Sequence, residues 1–329
     1  MFFVFGVDII IVFLTVLMVF GVAYINGWTD APNSIAACVS TGVIPLKKAV
    51  RIAAVADFAG SVSVGLLNNK VTERIIILSE MECPGEIFIS SMFSVMLSVI
   101  VFAVLAWYFG IPTSESHAML AGLFGSGLIV ERAVDLKAWI NTLVGLVISL
   151  LSGFISGYII SEFFSRVIRI EFNNKLKKSQ ILICVLTSFL HGALDSQKFA
   201  GILMVIFRTH GNINNKTYLV VLTVTAFMIS CGILTGGDRI IKSVGNDLIK
   251  LNKLQGFSAD VSGLLCLGIS TFCGIPVSTT HIKTASVFGA GAVNGSTNHK
   301  LVMRIIVAWI LTFPVCALLS CFITYIIIK

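Results

Sequence analysis

Charge is what this sequence has least of. Asp, Glu, Lys and Arg together make up 12% of its 329 residues, about half of what a soluble domain carries. Mean hydropathy is +0.98, and residues 9–29, 87–114, 139–160, 217–237, 261–282 and 305–328 hold no formally charged side chain. Each run reaches the roughly 20 residues that cross a bilayer as helix. In hydrocarbon every backbone donor needs an internal partner, which excludes exposed loops and open strands there. The expected class is therefore an all-α, polytopic membrane protein. Cysteine pairing is missing too: the eight cysteines are scattered with no C-x-x-C, which argues against a disulfide framework or a thiolate metal centre. No polar stretch is long enough for a soluble domain. The start, MFFVFGVD, lacks a basic n-region and reads as the beginning of the first membrane helix.

The net charge of +7 does not point to nucleic acid, because the basic residues sit in short loops. They are densest in RVIRIEFNNKLKKSQ, residues 166–180, which the positive-inside rule places in the cytoplasm.

What the sequence does have is an internal repeat. A shift of 164 lays GIPTSESHAMLAGLFGSG (110–127) on GIPVSTTHIKTASVFGAG (274–291), with nine of 18 positions identical. A shift of 165 lays NGWTDAPN (26–33) on HGALDSQK (191–198) and TERII (72–76) on GDRII (237–241). The chain reads as a duplication, 1–164 and 165–329, with residues 165–180 as a basic cytoplasmic linker. Each half is expected to hold a helix broken at a Gly-Asp motif, a plain helix, an amphipathic acid-Arg segment, a second broken helix and a last plain helix. Residues 87–130 would span about 66 Å as one helix, twice the hydrocarbon thickness, so this segment must turn back.

Discontinuous helices at matching positions of two halves point to a transporter's binding site. In GIPVSTTH, Gly274 and Pro276 end one helix, and Ser278, Thr279 or Thr280 can cap the next. In GIPTSESH, Thr113, Ser114 and Ser116 do the same. Such helix starts offer unpaired N–H groups, a positive dipole end and hydroxyls, which suits a tetrahedral oxyanion. His117 and His281 could be ligands, proton carriers or orienting groups for the loops.

Asp30 and Asp195 are intramembrane carboxylates, each within a polar break. With neighbouring Asn33 and Gln197 they could form a hard-cation site for Na⁺, or a protonation site; N-capping of a re-entering helix is the other reading. Glu115 is a third acid, whose counterpart in the other half is Thr279, which makes the site asymmetric. Lys198 could face the anion or pair with Asp195, and Lys283 could face substrate or snorkel. The pairs Glu73–Arg74 and Asp238–Arg239 read as interfacial charges.

These motifs resemble the inorganic phosphate transporter (PiT) family. Its Gly-x-x-Asp-x-x-Asn signature is matched by Gly27, Asp30 and Asn33 and, more loosely, by Gly192, Asp195 and Gln197. The strings GIPTSESH, GIPVSTTH and the stretch 236–260 are similar as well. Leu194 stands where the second signature usually has a polar residue. The resemblance implies import of inorganic phosphate coupled to Na⁺ or H⁺ by alternating access, in the cell membrane. It also implies inverted repeats, termini outside, a homodimer, and no cofactor beyond the transported cation. Ser114, Ser116, Ser278, Thr279, Thr280, Asn33 and Gln197 would contact phosphate, and Asp30 and Asp195, with Glu115 as a further acid, would serve the cations. Sulfate or another tetrahedral oxyanion is the alternative cargo, and a passive anion channel a further reading. An enzyme is not expected: no nucleophile elbow or HExxH motif is present.

Overall fold

A computed structural model of the chain describes residues 4–79, 83–130, 136–167, 174–209, 214–236, 238–247, 250–275, 277–293 and 298–329. Among these residues all regular structure is helical. The first half holds α1 (Val4–Thr29), a 3₁₀ turn (Ala31–Ser34), α2 (Ala36–Ser40), α3 (Leu46–Leu67), α4 (Lys70–Ser79), α5 (Gly85–Tyr108), α6 (Glu115–Ile129) and α7 (Leu136–Val167). The second holds α8 (Asn174–Arg208), α9 (Asn215–Thr235), the short α10 (Asp238–Lys242), a π-helical turn (Ser243–Asp247), α11 (Lys253–Cys273), α12 (Thr279–Ala292) and α13 (His299–Ile328). Helices α1, α3, α5, α7, α8, α9, α11 and α13 are each long and apolar enough to cross a membrane. Many large apolar side chains face outward, as they would toward lipid, and several acids are interior: Val147, Leu151 and Ile155 of α7 are exposed, while Asp30, Asp57, Asp195 and Asp260 are fully buried.

The second broken helix of each half forms as expected, and in the same way twice. Gly110 and Gly274 adopt left-handed φ of 68° and 64°. The N–H groups of Gly110 and Ile111 then bond the carbonyls of Trp107 and Ala106, and those of Gly274 and Ile275 bond Thr271 and Ser270. That pattern terminates a helix and demands a residue without Cβ strain. After each stop a serine restarts the chain as helix: Ser114 Oγ accepts from His117 N–H (3.2 Å) and Ser278 Oγ from His281 N–H (3.1 Å). Pro276 lies outside the described residues, as does the middle of the basic linker, 168–173.

The first broken helix does not form twice. Helix α1 gives way at Asp30 to the 3₁₀ turn, where Pro32 stands near its start. Helix α8 instead runs unbroken through His191–Lys198 for 35 residues, about 52 Å. The expected second break is absent for a physical reason: ALDSQK contains no proline and no glycine, whereas TDAPN supplies the ring that cannot continue α-helix hydrogen bonding.

The halves interlock. Helix α1 packs on α9 as α8 packs on α3, and α6 packs on α13 as α12 packs on α7. Two signature glycines permit the first pair of contacts. A Cβ on Gly27 would stand 1.9 Å from Ile229 O, and one on Gly192 would stand 2.1 Å from Asp57 O. Helix α12 follows α7 in the same direction, with Gly153 over Ile282, Gly157 over Ser286 and Ser161 donating to Ala290 O. Helix α6 follows α13 likewise, from Trp309 donating to Pro112 O through Gly125 against Ala317 to Thr324 donating to Ser126. His281, near the start of α12, packs on Trp309 well inside α13, so α13 doubles back along α12. Helices α6 and α12 therefore run in opposite directions.

Candidate functional site

The turns opening α6 and α12 meet at the middle of this framework. The rings of His117 and His281 are 5.6 Å apart, and they rest on Phe313 and Trp309 of α13. Their backbone N–H groups are the ones capped by Ser114 and Ser278. Neither ring nitrogen of His281 has a hydrogen-bond partner among the described residues, and the pair sits against aromatic side chains rather than carboxylates.

Lys198 ties the two turns together. Its Nζ donates to Ser116 Oγ in the first turn of α6 (2.8 Å), to Val277 O just before α12 (2.8 Å) and to Asp195 Oδ1 (2.6 Å). A lysine that is 1% exposed survives only with such a set of partners. Of the two sequence readings for Lys198, pairing with Asp195 is what the structure holds.

Three carboxylates converge on one amide. Asn26 Nδ2 stands 3.1 Å from Asp195 Oδ2, and 3.3 Å from both Asp30 Oδ2 and Glu115 Oε2. An amide nitrogen has two protons, so it cannot satisfy all three. Thr279 Oγ1 lies 3.1 Å from both Asp30 Oδ2 and Asp195 Oδ2. Asn33 Nδ2 reaches Asp30 Oδ1 at 3.3 Å, and Thr29 Oγ1 donates to Glu115 Oε1 at 2.5 Å. The N-cap reading of the two aspartates fails. Asp30 makes no side-chain cap bond, and Asp195 is in mid-helix.

Three residues of this site were passed over in the sequence: Asn26, His191 and Asp57. His191 Nδ1 is 2.6 Å from Asp57 Oδ2, and its Nε2 is 3.3 Å from Asp195 Oδ2. Asn26 and His191 head the two matched strings NGWTDAPN and HGALDSQK, so the repeat itself was the signal. Asp57 was findable as a carboxylate inside an apolar helix. Asp30, His191 and Asp195 each offer a ligand atom within 4.8 Å of the others. Among the described residues only Lys198 and His191 stand against Asp30, Asp57, Glu115 and Asp195, so the cluster is short of positive charge and calls for cations or protons.

Not every predicted residue joins in. Gln197 Nε2 donates to Ala193 O (2.8 Å), and its Oε1 lies 3.5 Å from the Thr72 N–H of α4. Its amide is thus used between helices. Thr113 and Thr280 are buried beside the two turns, and Thr280 Oγ1 has no partner among the described residues. Lys283 neither snorkels nor faces the three carboxylates; it pairs with Asp260 at 3.0 Å. Glu73, Arg74 and Arg239 are exposed, in keeping with interfacial charges.

The phosphate transporter family matches this chain twice, over residues 26–179 and 167–320. The chain belongs to the phosphate transporter family. A protein of Rhizobium meliloti named "Probable low-affinity inorganic phosphate transporter" is 34% identical over 308 residues, covering 90% of each chain. One of Bacillus subtilis with the same name is 29% identical and covers 95% of this chain and 96% of its own. A solved structure described as "The sodium-dependent phosphate transporter" superposes with a TM-score of 0.82 at 20% identity, over 96% of this chain and 98% of that one. That likeness establishes the fold, while the sequence matches establish the family. With the family goes the class: a multi-pass membrane transporter, not an enzyme.

Proposed function

We propose that this chain imports inorganic phosphate together with Na⁺ by alternating access. The observation that carries the reading is the meeting of two helix N-termini over a carboxylate cluster, with Thr279 and Lys198 shared between them. The anion would sit on the N–H groups of Glu115 and Ser116 and of Thr279 and Thr280, the first-turn donors that the serine caps leave open, and on Ser114, Ser116, Ser278, Thr279, Thr280 and Asn33. Thr113, His117 and His281 support the two turns. Gln197 is left out because its amide is engaged with Ala193 and Thr72.

Asp30, Asp195 and Glu115, with His191 as a further candidate ligand, would hold the cations. The buried Oδ1 atoms of Asn26 and Asn33 have no partner among the described residues and suit a hard ion. Phosphate is favoured over sulfate because near neutral pH it can still donate a hydrogen bond to a buried carboxylate, and the named relatives lend sulfate no support. Sodium is favoured over protons by the same oxygen-rich donor set and by the sodium dependence of the structural neighbour.

The opposite directions of α6 and α12 support inverted repeats divided near residue 165. The positive-inside rule supports a cytoplasmic linker, with both termini outside. The cell membrane and a homodimer complete the reading. In proteoliposomes, an inward Na⁺ gradient should drive accumulation of labelled phosphate, and a choline gradient should not. Equal uptake in both would sink the coupling, and competition by sulfate as strong as by phosphate would sink the cargo.

A further inference from the structure

Away from the central site lies a second buried charged cluster, present in one half of the molecule only. Lys283 Nζ of α12 is 3.0 Å from Asp260 Oδ1 of α11, and Gln180 Nε2 of α8 donates to Asp260 Oδ2 at 3.0 Å. All three are at most 2% exposed. Such a pair is costly in a membrane interior. The buried Oγ1 of Thr284, next to Lys283, and Oε1 of Gln180 have no partner among the described residues.

The cluster is joined to the central site by a stripe on α8. Asp195, His191, Ser188, Cys184 and Gln180 are spaced by four, three, four and four residues, which places them on one helical face over about 22 Å. Across from them, Ser34 Oγ lies 3.0 Å from Ser188 Oγ, and Cys184 Sγ reaches Ser34 O at 3.7 Å. The stripe ends where α8 begins, beside the basic linker. The same positions in the first half read differently: Asp30, Asn26, Ala23, Val19 and Thr15 on α1, with Met119 for Lys283 and Met96 for Asp260. Val19, Met96 and Met119 belong to one fully buried apolar cluster. The two ends of the pseudo-symmetric molecule are thus closed by different physics, packing on one side and an ion pair on the other.

We propose that the α8 stripe is the anion's passage to the face where α7 ends and α8 begins, and that Lys283 is its gate and second station. Lys283 exchanges Asp260 for the oxyanion as it passes, and Gln180 keeps Asp260 hydrogen-bonded meanwhile. This rests on the transport reading above.

The test gives the gate the residues of the other half. In Lys283→Met/Asp260→Met, equilibrium binding of labelled phosphate should stay within about threefold of the unsubstituted protein, while uptake into proteoliposomes falls at least tenfold. Lys283→Arg should keep a third or more of the uptake. With Cys184 as the sole remaining cysteine, a membrane-impermeant methanethiosulfonate should label it during turnover from the linker face of oriented vesicles. The double variant should block that labelling. Lys283→Gln/Asp260→Asn, closer in shape, is the substitute if the methionines prevent folding. Uptake within twofold of the unsubstituted protein would overturn the gate. Loss of binding together with uptake would also overturn it, placing the pair in the central site. If the unsubstituted protein binds no phosphate, the transport reading itself falls.

Discussion

The two repeats share their hairpins and differ in their charges. Gly110 and Gly274 end helices with the same pair of hydrogen bonds, and Ser114 and Ser278 begin the next ones with the same cap. Around the signature motifs the likeness stops. Helix α1 breaks at Asp30, where Asn26 sits one turn earlier; α8 stays helical through Asp195, where His191 holds the same place and pairs with Asp57. Duplication kept the backbone geometry of the two helix starts, and it let the charged side chains diverge. On the proposed reading the two starts share one anion while the carboxylates form one cation cage, so the first must match and the second need not.

That contrast predicts unequal effects for equivalent carboxylates. Asp195→Asn removes the partner of both Lys198 and His191 and leaves a buried lysine uncompensated, a loss of about 3–5 kcal/mol for a broken buried pair. Sodium-driven phosphate uptake should fall more than 100-fold. Among the described residues Asp30 is bonded by Asn26, Asn33 and Thr279 alone, all neutral, so Asp30→Asn should cost about tenfold, as for one charge-assisted bond. Equal losses in side-by-side uptake assays would break the asymmetry.

Next in size is Lys198→Met. It deletes the only cation among the described residues that bonds both turns. Phosphate affinity measured at saturating Na⁺ should weaken by about 10- to 30-fold through loss of the tie that positions both turns, the scale of a charged hydrogen bond. Unchanged affinity with lowered maximal rate would mean that Lys198 serves Asp195 and not the two turns.

Much of this contrast was legible in the residues and part was not. The hairpins could be read because Gly-x-Pro followed by hydroxyls is a local instruction to stop and restart a helix. The continuity of α8 is harder to read: HGALDSQK shares the Gly-Asp motif of NGWTDAPN, and only its missing proline marks it as unbroken helix. Asp57 lies far along the chain from its partner His191, whereas Asp260 and Lys283 are 23 residues apart on the consecutive helices α11 and α12. No spacing rule connects positions 134 residues apart, and only packing of α3 on α8 brings His191 to Asp57. The polar roles of Asn26 and His191 were visible as the first letters of the repeat but have meaning only once three carboxylates are seen around them.

A smaller effect sharpens the other side of the comparison. His191→Asn gives α8 the residue that α1 carries, leaves Asp57 without its imidazole partner, and should lower the apparent Na⁺ affinity by about three- to tenfold, the cost of an unpaired buried group. Adding Asp57→Asn removes the orphaned charge and should restore part of that loss. No restoration in the double variant would show that His191 itself contacts the ion rather than balancing Asp57.

The smallest effects should be those on the shared architecture, and they should be equal. Ser114→Ala and Ser278→Ala each remove one side-chain acceptor from a helix start, worth about 1 kcal/mol, and each frees one N–H, that of His117 or His281. If the two turns present the anion with the same geometry, both variants should weaken phosphate affinity about three- to fivefold, with Na⁺ affinity little changed, and the double variant should lose the product of the two. Thr279 beside Ser278 also touches Asp30 and Asp195, while its counterpart Glu115 is itself a carboxylate. A Ser278→Ala effect clearly larger than that of Ser114→Ala, and accompanied by a fall in Na⁺ affinity, would therefore show that the charge asymmetry reaches into the hairpins and that the anion is held chiefly by the second repeat.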